Sequence, residues 1–407
     1  MDDVVIVGAG PAGLAAAATL RSHGIDATII ERGRVGEPWR KRYDRLHLHT
    51  IRSLSHLPGY RIPPDFGRWV ARDQFVQYLE QYTAHHSLEP RFGVEVTRID
   101  RDNGHWSVRT TAGTIPSRVV VVATGYTRLP QLPRWPGTFD GPMVHSVEYR
   151  NPRPYRNQDV LVVGAGNSGT EIAVDLAEGG AARVRIAIRT PPNILRRDVK
   201  GFPIQLLGIV FRRLPPQLLD ALIAGLRRAT VPDLSAYGLP RRSAPFSQFQ
   251  RTGTVPIFDV GFIDAVRSGV VEVVSGVKAL DGRAAVLADG SRVFPDAVVA
   301  ATGYRPGLEP LVGHLTAIGD HGIPISQSGL HFLGMRLPVS GFLHEVSMDA
   351  RQMARDVARE LGALSQSTAQ SAGSTLGSPG ASAESRERRS PSAADQAAPK
   401  DCRADAD

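Results

Sequence analysis

The chain has 407 residues, of which 42% are hydrophobic and 22% are charged, a composition that excludes a fibrous or wholly disordered protein. This length accommodates two ordinary domains. The net charge of +8 raises nucleic acid as a partner, but the basic residues are spread along the chain without a basic run interleaved with aromatic residues, so nucleic-acid binding is not expected.

The N-terminal residues Met1–Asp3 are acidic and lead directly into a predicted strand. They lack the basic region and apolar stretch of a secretory signal. The chain also contains no run of about eighteen uncharged apolar residues, so no transmembrane segment is expected. These features favour a cytoplasmic location.

A strand, a glycine-rich turn and a helix are predicted at the start of the chain. The strand covers Val4–Val7 and the helix covers Leu14–Arg21. Between them, Gly8-Ala9-Gly10-Pro11-Ala12-Gly13 matches G-x-G-x-x-G, whose glycines permit a tight turn, the approach of a pyrophosphate and helix packing. Glu31 ends the second strand, where its carboxylate would accept hydrogen bonds from the unphosphorylated ribose of FAD. The alternative, a chance glycine-rich turn with a surface Glu, suits the glycines alone better than the whole constellation.

The middle of the first domain is predicted to contain a helix and a hairpin. The helix covers Asp73–His86, and the hairpin covers Val94–Arg109 with its turn at Asn103-Gly104. Val119–Ala123 follows as a buried strand. The proline-rich segments 129–136 and 151–154 indicate an ordered connection, which places the end of the first part of the FAD domain at residue 152.

The same order of strand, glycine-rich turn, helix and strand returns after this connection. A strand at Val160–Val163 leads into Gly164-Ala165-Gly166-Asn167-Ser168-Gly169, and a helix and the strand Val184–Ile188 follow. That strand ends in Arg189 instead of an acid, and a guanidinium can pair with a 2′-phosphate. The second unit is therefore predicted to bind NADPH. Arg196 and Arg197 either assist Arg189 or lie on a solvated surface.

Residues 201–230 are predicted to form an amphipathic, partly basic helical pair interrupted at Pro215-Pro216. A lid over a substrate channel, plain packing, and a surface for peripheral contact with a membrane or a partner remain open as interpretations. A hairpin at 281–293, the strand Ala297–Ala301 and the turn Thr302-Gly303-Tyr304 close the unit.

The predicted fold is α/β, with two Rossmann-like dinucleotide-binding domains of three layers (ββα/αβα) and the NADPH domain inserted into the FAD domain. The NADPH domain covers 153–304 and includes the helical insertion at about 201–250; the FAD domain resumes over 305–362. Residues 363–407 have almost no large apolar side chains and are predicted to be a disordered tail. The single cysteine, Cys402, lies there, which excludes an intrachain disulfide or a Cys-x-x-Cys redox pair.

Residues Phe139–Tyr149 match F-x-G-x-x-x-H-x-x-x-[FY], the signature of flavin-containing monooxygenases. With both glycine motifs and the turns Ala123–Tyr126 and Ala301–Tyr304, the chain resembles class B flavoprotein monooxygenases from about residue 2 to 360. The loop Tyr43–His49 and the later Ser347–Arg351 resemble the YUCCA branch, whose plant members decarboxylate indole-3-pyruvate oxidatively.

The resemblance implies that NADPH reduces FAD, that oxygen adds to the reduced flavin, and that retained NADP+ shields the resulting hydroperoxide until a small-molecule substrate arrives. The outcome would be oxidative decarboxylation of a 2-keto acid such as indole-3-pyruvate, or N- or S-oxygenation. The signature histidine, His145, is implied to support the joining of the domains and the placement of NADP+, although a lone His is more often simply packed. Ser168 either touches the nicotinamide side of the cofactor, as Asn167 would, or caps its helix. The expected cofactor contacts are Gly8, Gly10, Pro11, Ala12, Gly13, Glu31, Arg32, Trp39, His49, Thr124, Gly125, Gly164, Gly166, Asn167, Ser168, Gly169, Arg189, Thr302 and Gly303.

Three departures from related patterns narrow the chemistry. Tyr149 stands where Baeyer-Villiger enzymes end the signature in Trp, and Asp44 stands where they usually carry Pro, so ester formation is less expected. His49 stands where animal members place Asn, which puts their heteroatom oxygenation in doubt. The alternatives are a reductase or oxidase that passes electrons from NADPH to a quinone, a protein acceptor or oxygen, and a nucleotide-binding module without turnover.

Overall fold

The structure is a computed structural model that describes residues 2–204, 206, 209, 215–241, 256–315, 327–335 and 341–374. Residues 1–362 form one compact unit and residues 363–407 a second. The helices of the described residues are α1 (Pro11–Arg21), α2 (Glu37–Arg40), α3 (Arg72–His85), α4 (Asn167–Glu178), α5 (Pro216–Thr230), α6 (Phe262–Arg267), α7 (Glu309–Val312) and α8 (Phe342–Ser374). Short 3-10 turns cover Arg52–Leu54, Pro64–Phe66, Arg153–Tyr155 and Ser235–Tyr237.

Twenty strands accompany these helices in the described residues. The strands up to residue 145 are β1 (Asp2–Val7), β2 (Ala27–Ile30), β3 (Val96–Asp102), β4 (His105–Thr110), β5 (Gly113–Val122), β6 (Leu129–Pro130) and β7 (Met143–His145). Those from 159 to 259 are β8 (Asp159–Val163), β9 (Arg183–Ile188), β10 (Ile194–Arg196), β11 (Asp198–Val199), β12 (Phe202–Pro203) and β13 (Ile257–Asp259). The remaining strands are β14 (Glu272–Ser275), β15 (Val277–Asp281), β16 (Ala284–Leu287), β17 (Arg292–Val293), β18 (Ala297–Ala300), β19 (Tyr304–Arg305) and β20 (Leu330–Phe332).

The first sheet has the order β2-β1-β5-β4-β3, with β20 beside β5. The strand β1 runs parallel to both neighbours, so that Ile6 lies opposite Ile29 and Val121. These β-branched runs are buried on both faces, as in the parallel sheets of α/β proteins. Helices α1, α3 and α8 cover one face, and α7 packs on the other together with the predicted hairpin.

The hairpin prediction is confirmed, since β3 and β4 are antiparallel and are joined at Asn103-Gly104. Both turn residues have positive φ, 46° and 84°, which a two-residue type I′ turn requires.

The second sheet is wholly parallel, with the order β14-β9-β8-β18-β7. Helices α4 and α6 pack on it through the apolar side chains of the second core. The strand β7 belongs to the signature segment, and its residues Met143–His145 pair with β18. The sheet of the second domain therefore includes residues 143–145, which precede the boundary predicted at 152. A three-residue strand carries too weak a pattern to be recognised without its partner.

The chain returns from the second domain to the first through two pairings. The strand β19 is antiparallel to β6 of the connection, and β20 then runs parallel to β5 with Leu330 opposite Val120. The first turns of α8 pack Val346 and Ala350 into the first core. Two Rossmann-type domains, the NADPH domain inserted into the FAD domain, are thus present as predicted.

The helical insertion is only partly as predicted. Residues 198–203 form the small antiparallel pair β11–β12, and α5 begins at Pro216, the second residue of the predicted interruption. Arg227 of α5 is buried and donates to Asn193 Oδ1 at 2.6 Å, while Leu218 and Leu222 are exposed, so the apolar and basic faces are not cleanly separated. Positions 205, 207–208, 210–214 and 242–255 lie outside the described residues.

The tail prediction needs a correction at its start. Helix α8 continues to Ser374, into the segment predicted to be disordered from 363. Ala and Gln in this segment have high helix propensity, which lets a helix that is already nucleated propagate without burying apolar side chains. Residues 375–407, including Cys402, lie outside the described residues. Among those that are described, no helix is long and apolar enough to cross a membrane.

Candidate functional site

The first glycine turn is tightly packed at two of its glycines and open at the third. Gly8 has φ of 110°, and a Cβ there would lie 2.7 Å from the carbonyl oxygen of Ala123. A Cβ on Gly13 would lie 1.8 Å from the Gly8 carbonyl oxygen, so the helix can approach the strand only through Gly. At Gly10, by contrast, no described atom lies within 4 Å of the Cβ position. The open glycine therefore marks the side on which a pyrophosphate would approach the N-terminus of α1.

The first residues of α1 complete this phosphate cradle. Pro11 occupies the first turn, where its missing N–H is not needed, and Ala12 is buried behind the turn. The remaining free N–H groups of this end give a partial positive charge suited to an anion.

Glu31 lies at the edge of the cradle, as predicted. Its Oε2 accepts a hydrogen bond from the Ala9 N–H at 2.8 Å, and its Oε1 accepts one from the Gly33 N–H at 2.7 Å. Two backbone donors thus fix the carboxylate beside the turn, and each oxygen retains a lone pair for a ribose hydroxyl.

Two other residues expected to contact the cofactors also contact neighbouring side chains. Arg32 is exposed and pairs with Glu95 at 3.4 Å, while Trp39 packs edge-on against Phe75 with ring centroids 4.6 Å apart. Trp39 thus contributes to the first core, and only its partly buried edge remains for a cofactor.

The turn after β5 provides a polar atom for this site. The Oγ1 of Thr124 is buried and has no hydrogen-bond partner among the described residues, and Gly125 follows with φ of 80°. The Thr124 Cα would lie 3.5 Å from a Cβ on Gly8, so this hydroxyl belongs to the glycine turn. An unpaired buried hydroxyl, an open cradle and a fixed carboxylate are features that fit FAD.

The second glycine turn has nearly the same backbone geometry as the first. Gly164 has φ of 109°, and a Cβ there would lie 2.5 Å from the Ala301 carbonyl oxygen. A Cβ on Gly169 would lie 1.9 Å from the Gly164 carbonyl oxygen, while no described atom approaches the Cβ position of Gly166 within 4 Å. A second dinucleotide therefore fits at the N-terminus of α4.

Three arginines near this turn differ in their availability. Arg189 follows β9, is exposed, and has no carboxylate within ion-pair distance in the described part of the chain. Arg196 pairs with Asp259 at 3.1 Å, and the guanidinium of Arg197 lies 4.3 Å above the ring of Trp69. Arg189 is therefore the arginine best placed to pair with a 2′-phosphate.

The helix-capping role considered for Ser168 is wrong. The N-cap residue of α4 is Gly166, and no side chain caps the helix. Ser168 instead interacts with Tyr43, and Asn167 Oδ1 accepts the N–H of Phe258 at 2.8 Å. Both side chains thus link the predicted NADPH turn to neighbouring segments.

His145 has the contacts of a packed histidine. It is 1% exposed, its Nε2 donates to the Gly303 carbonyl oxygen at 3.1 Å, and its Nδ1 accepts the Val147 N–H at 3.2 Å. Burial lowers its pKa, so the ring is neutral near pH 7. With both nitrogens engaged, His145 is suited to holding its loop and not to transferring protons.

The turn Thr302-Gly303 is likewise held by hydrogen bonds within the protein. Thr302 Oγ1 donates to the Gln131 carbonyl oxygen at 2.5 Å, and the Gln131 N–H donates to Gly303 at 3.0 Å. These bonds tie the interdomain connection to the end of β18.

One buried side chain in this region was missed by the sequence analysis. Glu171, on the second turn of α4, accepts a hydrogen bond from the Tyr43 hydroxyl at 2.9 Å and lies 3.2 Å from Nε2 of His49. The His49 ring stacks on Phe258, with centroids 5.7 Å apart. The available signal was an acid two residues after the last motif glycine, directly before the apolar residues Ile172-Ala173-Val174 of the same helix.

Comparisons with known proteins agree with this geometry. A family model described as pyridine nucleotide-disulphide oxidoreductase matches residues 5–201. Indole-3-pyruvate monooxygenase YUCCA1 of Oryza sativa subsp. japonica is 35% identical over 373 residues, which are 87% of this chain and 90% of the rice protein.

Two solved structures share the fold. A flavin-containing monooxygenase from Stenotrophomonas maltophilia has a TM-score of 0.67 at 24% identity and covers 88% of this chain and 99% of its own. A steroid monooxygenase solved in its oxidised form with NADP bound has a TM-score of 0.67 at 20% identity, over 89% and 85% of the two chains.

The two turns differ in the charge that follows the second strand, acidic in one and basic in the other, which suits the first to the unphosphorylated ribose of FAD and the second to the 2′-phosphate of NADPH. The first turn with Glu31 would hold FAD and the second turn with Arg189 would hold NADPH; the two cofactors would supply hydride transfer and the electrons for oxygen, and the side chains would hold the nucleotides and exclude water. The chain belongs to the YUCCA-like branch of the class B flavin monooxygenases and is an FAD- and NADPH-dependent oxidoreductase.

Proposed function

We propose that the enzyme decarboxylates a small 2-oxo acid oxidatively, with molecular oxygen and NADPH as co-substrates. The observation that carries the proposal is the similarity across 87% of the chain to plant proteins named indole-3-pyruvate monooxygenases. In this reaction the bond to the carboxylate carbon breaks and CO2 leaves. One oxygen atom of O2 enters the shortened carboxylic acid, and NADPH with a proton reduces the other to water.

The loop that carries His49 supports this choice over related chemistries. It has Asp44 where Baeyer-Villiger enzymes usually carry Pro, and Asp44 pairs with the buried Arg72 at 2.7 Å, which fixes the loop in a different way. His49 replaces the Asn of the animal enzymes with an aromatic base, and its ring lies buried against Glu171 and Phe258.

The experiment uses purified holoenzyme, NADPH, 18O2 and indole-3-pyruvate as the first probe. We expect one 18O atom in the carboxylic acid product, with NADPH consumed and CO2 released in equal amounts. An amine and a sulfide serve as comparison substrates. Turnover of these with no CO2 from any of several 2-oxo acids would reject the substrate class. Stoichiometric hydrogen peroxide with every substrate would favour the oxidase alternative.

The cytoplasmic location is likewise a proposal. It is supported by the single cysteine, since a chain with one thiol does not depend on an oxidising compartment for intrachain disulfides. Cell fractionation with an antibody against the native protein tests it, and recovery with a sealed compartment would contradict it.

A further inference from the structure

A carboxylic acid of the second domain is buried against a tyrosine and a histidine of the first. Glu171 is 6% exposed. Its Oε2 accepts the Tyr43 hydroxyl at 2.9 Å, and its Oε1 lies 3.2 Å from His49 Nε2. Tyr43 and His49 belong to the loop between α2 and α3, so one side chain touches that loop twice. This geometry places the Glu171 carboxyl group in direct contact with one nitrogen of the His49 ring.

Burial dominates the electrostatics of this pair. It raises the pKa of Glu171 to about 7 and lowers the pKa of His49 to about 4. Near neutral pH the imidazole is therefore uncharged, and the carboxyl group is near the midpoint of its titration. No arginine lies within ion-pair distance of Glu171 in the described part of the chain. The charged and titratable groups that face the pair are Tyr43, Arg45, Asp175 and Arg197.

An uncharged imidazole has a single ring proton, so the state of one nitrogen fixes that of the other. When the Glu171 carboxyl is protonated, its O–H can donate to Nε2, which leaves the ring proton on Nδ1. When the carboxyl is ionised, it can accept from Nε2–H, which leaves Nδ1 as an acceptor. The 3.2 Å contact is not an aligned hydrogen bond in the present ring orientation, so either bond requires the ring or the carboxyl group to reorient.

The other ring nitrogen is held ready for an external group. His49 Nδ1 is buried and has no partner among the described residues. Leaving such an atom unpaired is unfavourable, because it has lost its hydrogen bonds to water. The ring stacks on Phe258, whose N–H binds Asn167 at the start of α4, so this nitrogen belongs to the neighbourhood of the second glycine turn. A hydrogen-bonding group of a cofactor or substrate would satisfy it.

We propose that Glu171 is a positioning residue that sets the tautomer of His49, and thereby decides whether Nδ1 donates or accepts the hydrogen bond to the group bound beside it. The proposal does not depend on which substrate is oxygenated. It assigns the hydrogen-bond polarity of the site to an acid that lies outside both glycine motifs.

The test records ring 15N chemical shifts of histidine-labelled holoenzyme between about pH 5.5 and pH 8.5, which distinguish protonated from bare nitrogens. The variant His49→Asn identifies the His49 signals. In the natural protein we expect the proton to move from Nδ1 to Nε2 as the pH rises through about 7. In Glu171→Gln we expect one tautomer throughout. The control Glu178→Gln changes an exposed acid on the same helix and should behave as the natural protein does.

A single tautomer in the natural protein, or an unchanged transition in Glu171→Gln, would overturn the proposal. If Glu171→Gln does not fold, Tyr43→Phe provides a second test. The Tyr43 hydroxyl stabilises the ionised carboxylate, so its loss should shift the tautomer transition to higher pH. A transition at the original pH would contradict the role of the carboxyl group. Because the signals are read without turnover, failure of the substrate assignment leaves this test unaffected.

Discussion

Gly13 lies so close to Gly8 that a Cβ on Gly13 would be 1.8 Å from the Gly8 carbonyl oxygen, and Gly169 stands in nearly the same relation to Gly164. Gly10 and Gly166 lie in the same turns, yet among the described residues no atom lies within 4 Å of the Cβ position of either. The glycines of one motif therefore serve two separable purposes, one inside the fold and one toward the ligand.

This separation predicts that Gly13→Ala affects stability and that Gly10→Ala affects FAD binding. Gly13→Ala should lower the melting temperature of the apoprotein, because the helix must move away from the strand. Gly10→Ala should leave that temperature unchanged and lower FAD affinity by at least about tenfold, because its methyl group occupies the pyrophosphate path. Thermal unfolding of apoprotein and FAD titration measure both. Equal destabilisation by the two variants would contradict the distinction.

Arg189→Gln should raise KM for NADPH by about 10- to 100-fold, the equivalent of a charged hydrogen bond, and leave KM for NADH unchanged. The physical reason is that Arg189 is exposed after β9, with no carboxylate partner among the described residues. Steady-state kinetics with both nucleotides check this. Arg183→Gln is the control, because Arg183 begins the same strand and pairs with Glu272. An unaltered NADPH preference in Arg189→Gln would contradict the assignment of Arg189 to the 2′-phosphate.

His145→Asn should lower the free energy of unfolding by about 1–3 kcal/mol, because a shorter side chain cannot bind both Gly303 and Val147. The shape of the pH profile of kcat should stay the same, since neither ring nitrogen is free to transfer a proton. Chemical unfolding and pH-dependent kinetics measure the two effects. His105→Asn, at an exposed position on β4, should change neither. Loss of one limb of the pH profile would instead identify His145 as an acid or base.

The pair His49 and Glu171 should affect stability with opposite pH dependence. The pKa of Glu171 is raised from 4.5 to about 7, so folding favours its protonated form, and its stabilising effect fades as pH rises between these values. The pKa of His49 is lowered from 6.5 to about 4, so folding favours its neutral form, and its effect fades as pH falls between these values.

The stability lost in Glu171→Gln should therefore shrink as pH rises from about 5 to 7, by about 2 kcal/mol. The stability lost in His49→Asn should grow over the same interval. Chemical unfolding of holoenzyme with saturating FAD at each pH measures both differences. Parallel curves for the two variants would show that the buried pair does not titrate as described.

Much of the fold could be predicted because its signals are local. Gly8, Gly13 and Glu31 lie within one strand–turn–helix–strand unit, and Arg189 follows the second strand of the other unit as Glu31 does in the first. The strand β7 was not predicted, because a segment of three residues can be identified as a strand only from its pairing with β18.

The missed parts of the site depend on contacts between distant segments. The pKa of Glu171 is raised only because the fold buries the side chain, and its contacts with Tyr43 and His49 cannot be predicted from the spacing of these residues along the chain. Arg196 is matched with Asp259 in the same way, which the sequence alone could not show.

The pairing of β20 with β5 has a consequence for how the polypeptide emerges from the ribosome. Leu330 reaches its place beside Val120 only after the whole second domain has been synthesised. Until then the carboxyl half of β5 keeps an unpaired edge, which is the kind of surface on which strands of other chains can add. Loop closure over such a distance is slow, so we expect the nascent first domain to need a holding chaperone while the inserted domain folds ahead of it.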